Sequence, residues 1–258
     1  TRAAAEEMGL PVFLVQHHYA HILSCMAENE WTTEKRVIGV SFDGTGYGTD
    51  GTIWGGEILL ADYDSFTRWG CIEPFAQTGG DASAKEGWRI AVSLLGKIYG
   101  KENALLIIET LGLCEPKLAK LQFTMEERGI NTVQSTSAGR LFDAVSAILD
   151  IRKSSTFEGE ASTSLQFAAE KWLDAQKKKI AGSEDFAESG IITDYGELKS
   201  ISDVAQKSVV EKNNSINRNI KADLYYLPTL SLVKELAERK LAGENSNQLA
   251  LHFHRRLA

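Results

Sequence analysis

The sequence predicts an α/β protein whose strands crowd its first third and whose helices fill the remainder. Two short β-branched runs, Pro11–Val15 and Arg36–Phe42, stand on either side of a helical stretch, and glycines gather from Asp43 to Glu57. From Asp81 onward apolar residues recur every three or four positions, the period of a helix buried along one face.

In chain order, both β-branched runs read as buried strands, with a helix over 18–30 between them. The Asp-Gly pairs at 43–44 and 50–51 predict tight turns, because glycine tolerates positive φ. Two strands follow near 55–62 and 66–75. Helices are then expected over 81–99, 101–111, 116–128, 138–151 and 160–179, the last ending in Lys177-Lys178-Lys179, where positive charge suits a helix C-terminus. Residues 182–225 are polar and weakly periodic, which suggests a variable insertion of small strands and loops. Two final helices fall near 228–241 and 246–258. The resulting organisation is a first lobe, 1–80, and a helix-rich second lobe, 81–258. Thr1 is not an initiator methionine and the chain stops inside a helical pattern, so the expectation is a fragment whose second lobe is incomplete at its C-terminus.

Composition narrows the function. A net charge of −7 with scattered basic residues offers no footprint for nucleic-acid phosphates. The longest apolar runs, such as Ala104–Ile108, fall far short of the ~20 residues that span a bilayer. Acidic residues interrupt the start, so no signal peptide is read there. Three distant cysteines, Cys25, Cys71 and Cys114, form no CxxC pair and fit a reducing, cytoplasmic compartment.

The sharpest local feature is Gln16-His17-His18-Tyr19-Ala20-His21, which gathers three of the five histidines. On a helix, positions i and i+4 share a face, so His17 and His21 can bind one divalent ion while His18 points away. The competing reading is that these are surface or hydrogen-bonded core histidines. A zincin protease is disfavoured, because His18 stands where HExxH needs its glutamate. Two imidazoles do not complete a site, and a third ligand must come from elsewhere. His252 and His254, two apart on a predicted helix, read as packing or hydrogen-bonding residues.

Phe42-Asp43-Gly44-Thr45-Gly46-Tyr47-Gly48 follows a predicted strand. Glycine amides in such a turn can wrap phosphate oxygens, with Asp43 holding a metal or its water; the alternative is a plain hairpin. The stretch has no P-loop lysine and precedes a strand, which argues against P-loop and Rossmann sites. Strand–turn–strand phosphate loops belong to the actin-like ATPase (ASKHA, ribonuclease H-like) style of α/β architecture.

Together these segments resemble the carbamoyltransferase domain of the HypF family, relatives of the tRNA threonylcarbamoyl transferases and antibiotic O-carbamoyltransferases. The family's VxHHxAH stands as Val15–His21, followed by Val40–Gly48 and Asp50–Glu57. Gly79-Gly80-Asp81-Ala82, Ser135–Val145, Phe157–Ala161 and Phe253–Ala258 also match. The resemblance implies an actin-like architecture with nucleotide between two lobes. It also implies iron or zinc on His17 and His21, and a catalytic turn of Asp43, Gly44, Thr45 and Gly46 facing phosphate and carbamoyl groups. Asp143, Gly159 and Glu160 would hold the ribose. Implied substrates are carbamoyl phosphate and ATP, with Mg as a further ion and carbamoyl-adenylate as donor. The implied acceptor is the C-terminal cysteine of a HypE-like protein, in the making of cyanide ligands for nickel–iron hydrogenases. The chain departs from the family's Arg-Glu-Pro-Trp-Arg at Lys85-Glu86-Gly87-Trp88-Arg89. The family's Ser-Gly-Gly loop and later metal-binding aspartate would fall past Ala258. Rival readings are a sugar or acetate kinase of the same fold, a non-catalytic nucleotide-binding lobe, and carbamoylation of a small-molecule hydroxyl.

Overall fold

A computed structural model describes residues 2–33, 35–181 and 224–258. The expected insertion at 182–225 thus lies almost wholly outside the described residues. The chain divides into two compact units, Thr1–Leu173 with Leu224–Ala258, and Asp174–Asp223.

The first unit opens with α1 (Arg2–Glu7) and α2 (His17–Glu28), then runs β1 (Val37–Tyr47), β2 (Ile53–Ala61), β3 (Phe66–Ile72) and β4 (Phe75–Thr78). Helices α3 (Ala82–Lys85), α4 (Gly87–Tyr99), α5 (Lys101–Thr110) and α6 (Pro116–Glu127) follow, then β5 (Thr132–Ser135) and α7 (Ala138–Ile148). α8 (Glu160–Ala181) continues into the second unit, and β6 (Tyr225–Leu227), α9 (Thr229–Leu241) and α10 (Ser246–Leu257) close the chain. Among the described residues no helix is long and apolar enough to cross a membrane.

β2 organises the sheet. It pairs antiparallel with β1 along one edge and with β3 along the other, where β5 also joins it in parallel at Ile53 and Ser135. β4 extends β5 antiparallel and β6 extends β3 in parallel. The larger core gathers Ile72 and Phe75 with α4, α7, α9 and α10, through Ile90, Leu94, Leu141, Ile148, Val233 and Phe253. A smaller core sets Tyr19, Ile22 and Met26 of α2 on Trp54, Leu59 and Ala61 of β2.

The helices start where the sequence offers caps. Gln16, Ser137 and Asn245 accept backbone N–H groups at the starts of α2, α7 and α10, and Pro116 opens α6. The helix expected over 81–99 breaks at Glu86, whose backbone leaves the helical region, into α3 and α4.

Two expectations need correction. Pro11–Val15 is not a buried strand: it pairs with nothing among the described residues, and Phe13 is 86% exposed. Arg36–Phe42 does enter β1, but only one face of it is covered. Gly39 lies under Ile22, so Ile38, Val40 and Phe42 alternate onto the opposite face and stay exposed.

The glycine-rich stretch differs as well. Asp50-Gly51 does form the chain reversal, with Gly51 at φ +78 and Asp50 Oδ1 accepting from Thr52 N. Asp43-Gly44 makes no turn. β1 runs through it to Tyr47, and between the pairs Phe42–Gly56 and Gly46–Trp54 the residues Asp43, Gly44 and Thr45 stand opposite Gly55 alone. The stretch is a three-against-one bulge inside a strand. Its carbonyl side is packed hard: a Cβ on Gly55 would lie 2.6 Å from Asp43 O and 2.8 Å from Ser137 Cα, both backbone atoms. Gly55→Ala is therefore expected to destabilise the protein by about 2 kcal/mol or more, read by urea unfolding. A loss below about 0.5 kcal/mol would contradict this packing.

Candidate metal centre

α2 begins at His17, so His17 and His21 lie one turn apart on a common face. What lets that turn reach β1 is Gly46, where a Cβ would come within 2.3 Å of His18 Cε1 and 2.8 Å of His17 Cδ2. The glycine expected to face a phosphate serves here as the seat of the histidine turn. The bulge just before it lifts Asp43 toward the same point.

His17 Nε2 lies 2.8 Å from Asp43 Oδ2, His21 Nε2 lies 3.1 Å from His17 Nε2, and His21 Nε2 lies 3.6 Å from Asp43 Oδ2. Two imidazole nitrogens and a carboxylate oxygen thus converge, and each ring nitrogen presents a lone pair in one of its tautomers. Their ligand atoms lie close enough together that the three residues could hold a metal ion. An ion ~2.1 Å from each of its tetrahedral ligands holds them ~3.4 Å apart, and the three observed separations bracket that spacing. The group is half-exposed, which leaves room for a further ligand. Asp43 supplies the third donor that the histidine spacing alone left open.

Asp43 is prepared as an anion. Burial would raise its carboxyl, but hydrogen bonds from Gly44 N–H and His17, with the neighbouring imidazoles, hold it below the ordinary carboxylate range. The Gly44 amide donates to Asp43 Oδ1 at 2.6 Å, so it is engaged inside the bulge rather than free for a phosphate. Thr45 is exposed and donates its hydroxyl to Gly44 O at 2.6 Å.

His18 takes no part in the converging group. It is fully buried beside His17, and its ring lies 6.2 Å from that of Trp54. Gln16 accepts from Tyr19 N, which orients its amide so that Nε2 donates to His18 Nδ1 at 3.1 Å; the remaining nitrogen, Nε2, has no partner. Burial holds this ring below the ordinary imidazole range, with His17 and His21 acting in the same direction against Glu57 and Asp43.

Behind the bulge lies a network that periodicity did not reveal. Glu57 is fully buried in β2, receives Arg68 Nε at 2.7 Å and Thr136 Oγ1 at 2.5 Å, and accepts weakly from Gly55 N at 3.3 Å. Arg68 also meets Asp50 at 2.9 Å and lies 4.0 Å above the Trp54 ring. The one visible signal was a glutamate inside an apolar strand, which must be paired to be buried.

The residues expected around a ribose stand apart from this group and share no hydrogen bond with it. Asp143 is buried on α7, with Oδ2 2.8 Å from Arg140 Nε but too poorly aligned to count as a hydrogen bond. Gly159 turns with φ +78 into α8, and Glu160 is occupied by Thr156 N and Arg152. His254 Nδ1 donates to Ala250 O at 2.8 Å, while His252 Nε2 lies 2.8 Å from Glu235 Oε1 without the alignment of a hydrogen bond.

Residues 39–258 match the family described as "Carbamoyltransferase, Kae1-like Domain, second subdomain", and residues 1–28 match "HypF Kae1-like domain". The chain belongs to the HypF family. It is 39% identical over 176 residues to carbamoyltransferase HypF of Rhodobacter capsulatus, and 38% identical over 168 residues to the probable carbamoyltransferase HypF of Methanocaldococcus jannaschii. Each alignment takes 65% of this chain but 22% of the relative's length, so the chain spans a minor part of those HypF proteins. Among solved structures it resembles full-length HypF in a phosphate- and nucleotide-bound form, with TM-score 0.71 and 28% identity over 99% of this chain and 28% of that one. It also resembles T. kodakarensis HypF, with TM-score 0.66 and 25% identity over 96% of this chain and 28% of that one. The fold is the actin-like α/β class expected.

The departure from the HypF pattern at Gly87 has a packing reason. A Cβ there would lie 2.7 Å from Asp143 O, so glycine lets α4 start directly against α7. That contact helps bury Asp143, and burial pushes its carboxyl up to about 6 against the pull of Arg140. The folded state then holds the proton more tightly than the unfolded chain, and the stability contributed by Asp143 falls as pH rises from about 4 to about 6. Asp143→Asn removes this titration. Urea unfolding is expected to show the variant gaining on the wild type between those pH values, by up to about 3 kcal/mol; a pH-independent difference would contradict the burial.

Proposed function

We propose that this chain is the metal- and nucleotide-binding part of a cytoplasmic carbamoyltransferase in nickel–iron hydrogenase maturation. It passes a carbamoyl group from carbamoyl-adenylate to the C-terminal cysteine of a HypE-like acceptor, the new S–C bond replacing the C–O bond to AMP, which departs. The reading rests on membership of a family whose relatives are named carbamoyltransferases, and on one observation: His17, His21 and Asp43 converge as donors on the exposed end of α2. The whole enzyme would use carbamoyl phosphate and ATP.

The two imidazoles and the carboxylate would hold iron or zinc, which when bound supplies Lewis acidity toward the carbonyl or phosphate oxygen. The rest of the task falls to the chain. Asp43 stays ionised and so keeps its charge directed at the two imidazoles. The Gly44 amide fixes one carboxylate oxygen and leaves the other toward His17. Thr45 retains lone pairs on an exposed hydroxyl beside the site. For the nucleotide, the buried Asp143 Oδ2 lacks an aligned donor, the state that a ribose hydroxyl would complete. An acceptor cysteine that is already a thiolate needs no dedicated base.

His17→Ala and His21→Ala in the full-length enzyme are each expected to abolish carbamoylation of the acceptor's C-terminal peptide, followed by mass spectrometry. They should also abolish the rise in melting temperature that Zn²⁺ gives the wild type. Transfer at the wild-type rate by either variant would overturn the reading, and transfer to a small-molecule hydroxyl instead would redirect it.

A further inference from the structure

We infer that Ser137, the first residue before α7, is the positioning residue that sets where Asp43 stands relative to His17 and His21. The inference rests on the reading of those three residues as a cation site.

Asp43, Gly44 and Thr45 have only Gly55 opposite them, so the ladder does not dictate their conformation. Gly44 is the loosest link. It carries no side chain, and a Cβ there would meet nothing within 4 Å. Yet both peptide groups flanking its Cα are held. On one side its N–H is donated to Asp43 Oδ1 at 2.6 Å. On the other its carbonyl accepts from Ser137 Oγ at 2.6 Å. Thr45 Oγ1 donates to the same carbonyl, but Thr45 belongs to the bulge and moves with it. Ser137 is anchored outside: it is fully buried, and its hydroxyl oxygen accepts from Arg140 N at 3.0 Å as the cap of α7. Gly139, the second residue of that helix, packs so closely that a Cβ would fall 2.8 Å from Gly44 Cα.

A chain of contacts follows. The cap of α7 fixes the Gly44 carbonyl, and a fixed Gly44 aims its amide at Asp43 Oδ1. That hydrogen bond sets the carboxylate rotamer and leaves Oδ2 toward the imidazoles. Groups that orient a ligand in this way typically change metal affinity by ~10–100-fold when lost.

The test compares full-length wild type, S137A, S137T and N245A. The last removes the cap of α10, whose side chain accepts from Asn247 N and Gln248 N and touches none of the site residues. Zn²⁺ affinity is read by competition with a chromophoric chelator, and hydrogen exchange is read without metal on the peptide containing residues 42–46. S137A is expected to weaken Zn²⁺ by ~10-fold or more and to speed exchange in the bulge by ~10-fold, with S137T near wild type. N245A should lose stability as S137A does yet change neither readout. Zn²⁺ affinity of S137A within about twofold of wild type, or equal effects of S137A and N245A, would overturn the role of Ser137. Should the wild type bind no Zn²⁺, the cation reading falls. The exchange rates then decide the matter: faster exchange in S137A alone upholds Ser137 as the clamp of the bulge, and unchanged exchange removes it.

Discussion

A helix can rest on a strand at near-backbone distance only where the strand lacks side chains, and the site depends on that constraint being met twice. Gly39 receives Ile22 and Gly46 receives the first turn of α2. With any side chain at these positions α2 would lift away from β1 and the histidines would hang in solvent beyond the reach of Asp43. The small core of Tyr19, Ile22, Met26, Trp54, Leu59 and Ala61 supplies the apolar burial that holds the helix down once the glycines have admitted it.

Electrostatics are layered around this contact. At the surface two imidazoles face one carboxylate kept ionised by local donors. Beneath them a fully buried glutamate is balanced by Arg68, which in turn stacks on Trp54 and meets Asp50 at the chain reversal. A buried carboxylate with all this company rigidifies its surroundings, because removing one partner leaves a charge without compensation. The bulge is thus bounded by firm structure on the β2 side and by the capped start of α7 on the other.

Much of this was legible in the residues, and the reasons for success and failure are physical. Periodicity found the helices from Gly87 onward because each buries apolar residues of one face in the large core. The histidine pair was legible because i and i+4 are neighbours on any helix. The status of Pro11–Val15 was not, since β-branched apolar residues describe what a strand needs without saying whether a partner is there. His18 was expected to point away from the His17–His21 pair, but helix geometry alone does not reveal that Gly46 leaves a slot for its ring. Asp-Gly at 43–44 and at 50–51 carry the same local signal, and only the pairing on both sides separates a bulge from a turn. Ser137 drew attention as part of a motif, while its bond to Gly44 spans a distance in sequence that no local pattern encodes.

The bulge also governs where the chain can change its length. Register pairs stand on both sides of Asp43, Gly44 and Thr45, so an insertion or deletion among them must either reshape the bulge or slide β1 along β2. Either change would redirect the aspartate or carry Gly46 out from under the histidine turn and bring a bulkier neighbour beneath it. The reversal at Gly48–Thr52 lies outside those pairs and bears no such burden. Drift in loop size is thereby confined to a few residues at the hairpin tip, while the neighbouring glycine-rich segment, which looks equally permissive on paper, is locked in length.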